Sequence, residues 1–333
     1  MKALFLCETT DKIFRVYDTE TVRSLKALVE IEEKVYTKAD VLADPNMFSD
    51  VEYIFSTWGM PQFTEEEIKN NFPSLKCVFY GAGTVQAFAR PFIDCGVKIF
   101  SAWAANAVPV AEMTVAQIIL ANKGYFLTSR IYRNEGNNSA RAAFDACRGN
   151  YGETVGIIGA GMIGRLVIQM LKSYNLNVLV FDPYFSLEKA KEFGVEKCDL
   201  PTLFERSFTV SNHLANNEQT RGMLNYDLFR RMRKNAVFIN TGRGAQVVEE
   251  DLVRILEERE DLTALLDVTE PEPPIDGHPF YTLSNCLLTP HIAGSAGDEV
   301  SRMGKYMLAE FKSYLNGEAC SYEVTLDMLK TMA

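Results

Sequence analysis

Short apolar runs rich in Val, Ile, Leu and Phe recur from one end of the chain to the other, and most are followed by a stretch with helical spacing. Runs at 2–7, 51–55, 75–80 and 97–100 predict strands, with helices predicted over 21–34 and 65–71. A second series predicts strands at 154–158, 177–181, 208–211, 236–239, 262–266 and 286–288, with helices over 163–174 and 249–259 between them. Such alternation makes successive strands parallel, because each helix serves as the crossover that a parallel pair requires. Right-handed crossovers then cover both faces of a sheet. The expected class is α/β, built from two doubly wound parallel-sheet domains. Between the two series, a long helix is predicted to begin after Pro109 and run from 110 to about residue 133. The polar run 134–140 that follows reads as a loop. A last helix is predicted over 299–315.

With 333 residues, 47% of them hydrophobic, the chain has enough apolar material for two domains. Its formal charge of -10 argues against nucleic acid or an anionic membrane as partner, since phosphate binding draws on clustered Lys and Arg. The seven cysteines are scattered and form no Cys-x-x-Cys pair, so neither a metal site nor dithiol chemistry is expected, and the thiols are expected to be reduced. The apolar run at 3–7 meets Glu8 and Asp11 at once, too short for a signal-peptide core. No charge-free stretch approaches the roughly 20 residues of a membrane helix. The expected location is cytoplasmic.

The segment Thr154-Val-Gly-Ile-Ile-Gly-Ala-Gly-Met-Ile-Gly-Arg165 sets G-x-G-x-x-G between a predicted strand and a predicted helix. Gly159 permits the tight turn, Gly161 lets a pyrophosphate approach the backbone, and Gly164 lets the helix pack close. The helix start, with Met162 and Ile163, offers N–H groups to phosphate. Asp182 ends the next strand 18 residues after Gly164, where an acid accepts hydrogen bonds from a ribose and repels a 2′-phosphate. With no Arg or Lys close behind it, NAD is favoured over NADP.

Farther on, Asn240-Thr-Gly-Arg-Gly244 puts Arg243, with Thr241 and Gly242, just past the end of a strand, the edge where open α/β sheets bind ligands. Arginine offers a fixed fork matched to a carboxylate. Asp267 ends another strand, Glu272 lies in a loop stiffened by Pro271, Pro273 and Pro274, and His291 follows one strand later. These polar groups therefore converge on one edge of one sheet.

Together with Gly81-Ala-Gly83, Val108-Pro-Val-Ala-Glu112 and Thr289-Pro-His-Ile-Ala-Gly294, these residues resemble the D-isomer-specific 2-hydroxyacid dehydrogenases, the family of phosphoglycerate dehydrogenase, hydroxypyruvate and glyoxylate reductases and D-lactate dehydrogenase. The resemblance implies a Rossmann NAD domain inserted into a flavodoxin-like substrate domain, with residues 1–105 and 293–333 forming the second and 106–292 the first. It implies hydride transfer between NAD(H) and a small 2-oxo or D-2-hydroxy acid, with Arg243 binding substrate and His291 paired with Glu272 as acid/base. It further implies that Gly81, Ala82 and Gly83 offer backbone N–H groups to the substrate carboxylate, that Asp267 contacts the nicotinamide end of the cofactor, that Asn106 lies at a hinge, and that the chain forms a homodimer. His213 stands where the family has a cofactor-contacting histidine, and packing is an equal reading. His278 reads as a solvent-exposed loop residue. Segment Ser56-Thr-Trp-Gly-Met60 lacks the arginine that relatives acting on phosphorylated substrates usually carry, which points to an unphosphorylated acid, with Trp58 either a pocket wall or plain packing. The alternative is a non-catalytic, NAD-responsive binding protein of the corepressor type.

Overall fold

The computed structural model describes residues 1–44 and 46–330. The chain divides into two compact units, Met1–Asn106 with the segment from Ser295 onward, and Ala107–Gly294.

In the first unit, β1 (Ala3–Leu6), β2 (Val35–Tyr36), β3 (Tyr53–Ser56), β4 (Cys77–Tyr80) and β5 (Lys98–Ser101) lie parallel in the order β2-β1-β3-β4-β5. Strand Glu323–Val324 adds antiparallel to β5. This is the flavodoxin-like order. The strands β1, β3 and β4 are buried along their whole length, which is why they read as unbroken apolar runs rather than alternating ones. Register pairs Phe55 with Phe79 and Phe79 with Phe100 across three adjacent strands, so their rings stack at 5.3 and 4.9 Å between centroids. Phe311, on helix Val300–Leu315, meets both Phe55 and Phe79 edge-on at 5.2 Å. The last helix thus packs on this unit.

The second unit carries β6 (Tyr151–Ile158), β7 (Asn175–Phe181), β8 (Glu196–Lys197), β9 (Thr209–Asn212), β10 (Val237–Asn240), β11 (Thr263–Leu266) and β12 (Cys286–Leu288). All are parallel, in the order β8-β7-β6-β9-β10-β11-β12, the Rossmann order extended by one strand.

Three local expectations need correction. The helix expected to start after Pro109 runs Trp103–Asn122 with Pro109 inside it, so the carbonyl of Ala105 lacks its usual N–H partner. That helix is long and apolar enough to cross a membrane by length and composition, yet more than half of its most apolar stretch is buried inside the structure, through residues such as Ala111, Val115 and Ile118. Just beyond its end stands Gly124 (φ +70), where a side chain would meet the Cys147 sulfur at 2.6 Å, and it caps a separate helix, Tyr125–Glu135. The polar run 134–140 is not a loop either. Gly136 (φ +86) turns the chain directly into helix Asn137–Asp145, which packs on the preceding helix. Near the N-terminus, helices Thr10–Val16 and Thr19–Lys26 replace the single helix expected over 21–34, because Glu30 bridges to Lys2 and Val35–Tyr36 joins the sheet.

Helix Val300–Leu315 approaches helix Thr10–Val16 only because residue 304 is glycine. A Cβ there would lie 2.1 Å from the carbonyl oxygen of Val16. Gly304→Ala should therefore cost about 1–3 kcal/mol through forced separation of the two helices. Its thermal midpoint, followed by circular dichroism, should fall by several degrees, and a midpoint equal to that of the unmodified chain would mean that the helices part freely.

Candidate active site

At the end of β6 the chain turns through Gly159 (φ +89), and a side chain there would lie 2.6 Å from the carbonyl oxygen of His213. One at Gly164 would lie 2.0 Å from the carbonyl of Gly159. Both glycines are demanded by the protein's own backbone. Gly161 differs, since a Cβ there would have no protein atom within 4 Å. The space it leaves open lies at the start of helix Met162–Leu171, whose N-cap provides no side-chain hydrogen bond, so the first N–H groups are free for an anion. This suits a dinucleotide pyrophosphate. Asp182, just past β7, accepts the N–H of Ala160 on Oδ2 and that of Tyr184 on Oδ1, each at 2.7 Å. It therefore braces the glycine loop from the position at which a ribose would be recognised.

Past β10, a buried amide network shapes the loop that carries Arg243. Asn212 Nδ2 donates to Asn240 Oδ1 at 2.9 Å and to Gln246 Oε1 at 2.5 Å. Asn240 Oδ1 accepts the N–H of Gly242, and its Nδ2 donates to the carbonyl of Arg243, both at 3.1 Å. Thr241 is buried with its hydroxyl 3.1 Å from that of Thr114. The guanidinium of Arg243 donates from Nη1 to the carbonyl of Gly242 at 2.7 Å. Burial pushes it down from the usual arginine range, opposed by the charge of Glu272. Among the described residues no acid is ion-paired with it, so a half-buried cation retains free donors. Asn212 and Gln246 escaped the sequence reading, because a buried amide in a strand or loop carries no periodic signal.

His291 Nδ1 lies 2.6 Å from Glu272 Oε1. With Nδ1–H donated to the carboxylate, Nε2 is the nitrogen left for another partner. Both side chains are accessible, 46% and 40% exposed. His291 also has φ 52, a conformation uncommon for a residue with a side chain. It is held there by Asp267, which accepts from Thr289 Oγ1 at 2.6 Å, from Ile292 N–H at 2.8 Å and from Ala293 N–H at 2.9 Å. The N–H of His291 itself bonds the Asp267 carbonyl at 3.0 Å.

The structure thus brings Arg243, Asp267, Glu272 and His291 to one edge of one sheet. Gly81, Ala82, Gly83 and Trp58 belong to the other unit, following β4 and β3. Gly81 cannot offer its N–H as expected, because it donates to the carbonyl of Ser56 at 2.7 Å. The carbonyls of Ala82 and Gly83 accept from Ser101 Oγ at 2.9 and 2.5 Å. Trp58 is half-buried against the apolar clusters on both faces of its sheet. His213 is buried, with Nε2 2.9 Å from Ser211 Oγ, while Nδ1 is buried without a partner among the described residues. His278 is not a solvent-exposed loop residue. Its side chain is 16% exposed, its ring packs on Phe280 at 4.4 Å between centroids, and its Nε2 faces Glu249.

A family model for "D-isomer specific 2-hydroxyacid dehydrogenase, NAD binding domain" matches residues 115–293. A D-3-phosphoglycerate dehydrogenase of Methanocaldococcus jannaschii is 30% identical over 74% of this chain and 46% of its own length. A putative 2-hydroxyacid dehydrogenase of Staphylococcus haemolyticus is 29% identical over 78% of this chain and 82% of its own. The chain spans about half the length of several curated relatives it matches. Among solved structures, the apo D-mandelate dehydrogenase of Rhodotorula graminis aligns with a TM-score of 0.80 over 97% of both chains at 18% identity, a likeness of fold.

Burial pushes the His213 imidazole down to about 3. The folded chain then holds it neutral, whereas an unfolded chain protonates it below about pH 6.5. Because the folded value is the lower one, its effect is absent above about pH 6.5 and grows as pH falls toward 3, reaching on the order of 2 kcal/mol at pH 5. In His213→Asn, the loss of unfolding free energy between pH 7 and pH 5 should shrink by about that amount. An identical pH slope in the two proteins would show that the ring is already protonated in the folded state.

Proposed function

Because the chain belongs to the D-isomer-specific 2-hydroxyacid dehydrogenase family, we propose that it transfers a hydride between NAD(H) and a small 2-oxo acid or its D-2-hydroxy acid. The observation that carries this reading is the His291–Glu272 pair at 2.6 Å on the same sheet edge as an arginine with free donors. NAD, held by Gly159 to Gly164 and Asp182, supplies the hydride donor or acceptor. In the reductive direction charge develops on the 2-oxo oxygen, and a cation and a proton donor must meet it. Arg243 binds the substrate carboxylate and the 2-oxo oxygen, and His291 Nε2 delivers the proton. Glu272, accepting from Nδ1, fixes the orientation of the ring. In oxidation the same nitrogen takes the proton back, so reduction should weaken and oxidation strengthen as pH rises.

The absence of Arg and Lys from Ser56-Thr-Trp-Gly-Met60 favours an unphosphorylated substrate. Tyr125 and Tyr132, 54% and 58% exposed on helix Tyr125–Glu135, suit the contact of a homodimer.

NADH oxidation against a panel of 2-oxo acids tests the assignment. At least one should be reduced, with catalytic efficiency well above that obtained with NADPH, and Asp182→Ala should narrow that gap. Equal efficiencies in the unmodified chain would remove Asp182 from cofactor selection. Arg243→Ala should lower kcat/KM by about a hundredfold or more while NADH affinity stays within about twofold. Normal turnover in that variant would sink the role of Arg243, and a chain that binds NADH but reduces none of the panel would be a binding protein instead.

A further inference from the structure

Glu249 opens helix Glu249–Glu258, is 9% exposed, and lies against the loop that leads from β11 to β12. Its Oε1 accepts the N–H of Glu270 at 2.8 Å. Its Oε2 stands 3.8 Å from Nε2 of His278, ion-pair range rather than hydrogen-bond range. The His278 Nδ1 accepts the N–H of Phe280 at 3.2 Å, so the ring carries its proton on Nε2, the side turned toward Glu249. One carboxylate therefore touches the loop at residue 270 and again at residue 278. Glu272 lies between these two points.

The shoulder at residue 270 is held from a second direction. A Cβ on Gly244 would lie 2.0 Å from the carbonyl carbon of Thr269 and 2.5 Å from the nitrogen of Glu270. The segment just after Arg243 thus packs directly on the backbone that Glu249 grips. Such a carboxylate is a costly peg: burial pushes it up to about 7, helped by the charges of Glu250 and Glu270 and opposed by the Glu270 N–H. Cys286 also faces it, and burial pushes that thiol up to about 12, so it adds no charge. Glu249 bears that cost while it grips the loop at residue 270, two residues before the partner of His291, and holding the loop is a mechanical task that explains it.

We propose that Glu249, assisted by His278, is a positioning residue that seats the 270–278 loop and so sets the approach of Glu272 to His291. The inference rests on the dehydrogenase reading above, in which that pair moves the proton. Glu249 touches neither substrate nor cofactor in this scheme, and its influence passes through Glu272.

The full-length chain tests it by a double-mutant cycle on 2-oxo acid reduction. Glu249→Ala should lower kcat about tenfold, since a displacement of under an ångström is costly to a proton-transfer pair, while KM for NADH stays within about twofold. Glu249→Gln, which keeps an acceptor for the Glu270 N–H, should restore most of the rate. Combined with Glu272→Gln, the alanine variant should be no slower than Glu272→Gln by itself, because both changes remove the same contact. His278→Ala should give a smaller loss with the same non-additivity, and serves if Glu249→Ala does not fold. The titration midpoint of the His291 imidazole, followed by NMR in the presence of NAD, should move in Glu249→Ala in the same direction as in Glu272→Gln. Wild-type kcat in Glu249→Ala, additive losses in the double variant, or an unmoved His291 midpoint would each overturn the proposal. If the unmodified chain reduces no 2-oxo acid, it is the dehydrogenase reading that fails, and the NMR midpoint still decides whether Glu249 governs the pair.

Discussion

Asp267 commits both carboxylate oxygens to the segment that follows β12, and the geometry of the candidate active site depends on that commitment. It is 3% exposed and accepts three hydrogen bonds, from one hydroxyl and two backbone N–H groups. Bonds to a charged acceptor contribute about 1.5–3 kcal/mol each. The strained backbone of His291, at φ 52, costs of order 1–3 kcal/mol. The bonds win, and the histidine is held where an unrestrained chain would not leave it.

The same economy of anchoring extends across the carboxyl edge of the sheet. Register sets Asn240 level with Leu266, and Leu266 level with Leu288, so the three loops that follow start at one height. Residues as far apart in sequence as Arg243 and His291 then share one edge. Each loop has its own buried brace. Amides of Asn212, Asn240 and Gln246 hold the first, Glu249 the second and Asp267 the third. The groups offered to ligand, Arg243, Glu272 and His291, are more exposed than the groups that hold them.

Much of this was legible in the chain. Parallel strands buried on both faces write themselves as apolar runs, the glycine fingerprint reports a tight turn and two close approaches, and the acids at strand ends mark the ligand edge. Less legible were contacts whose cause lies far away in sequence. Gly136 and its polar neighbours look like a loop until the preceding helix provides a face for Asn137–Asp145. Pro109 looks like a helix start until packing on both sides of it outweighs one lost hydrogen bond. His278 looks like surface because nothing local reveals Glu249 beside it, and the N–H of Gly81 looks free because Ser56 belongs to another strand.

Residue types and their spacing by themselves determined the α/β class, the strand order's parallel sense, the dinucleotide fingerprint and the chemical identity of the Arg, Glu and His. Periodicity and backbone sterics act over a few residues, so they can be read from a few residues. Only the tertiary structure decided that Asp267 anchors the loop of His291, that His213 is buried with Nε2 against Ser211, and that Glu249 grips the loop of Glu272. These are hydrogen bonds and desolvation between groups brought together by strand pairing, and no local pattern encodes which distant backbone a buried carboxylate will meet.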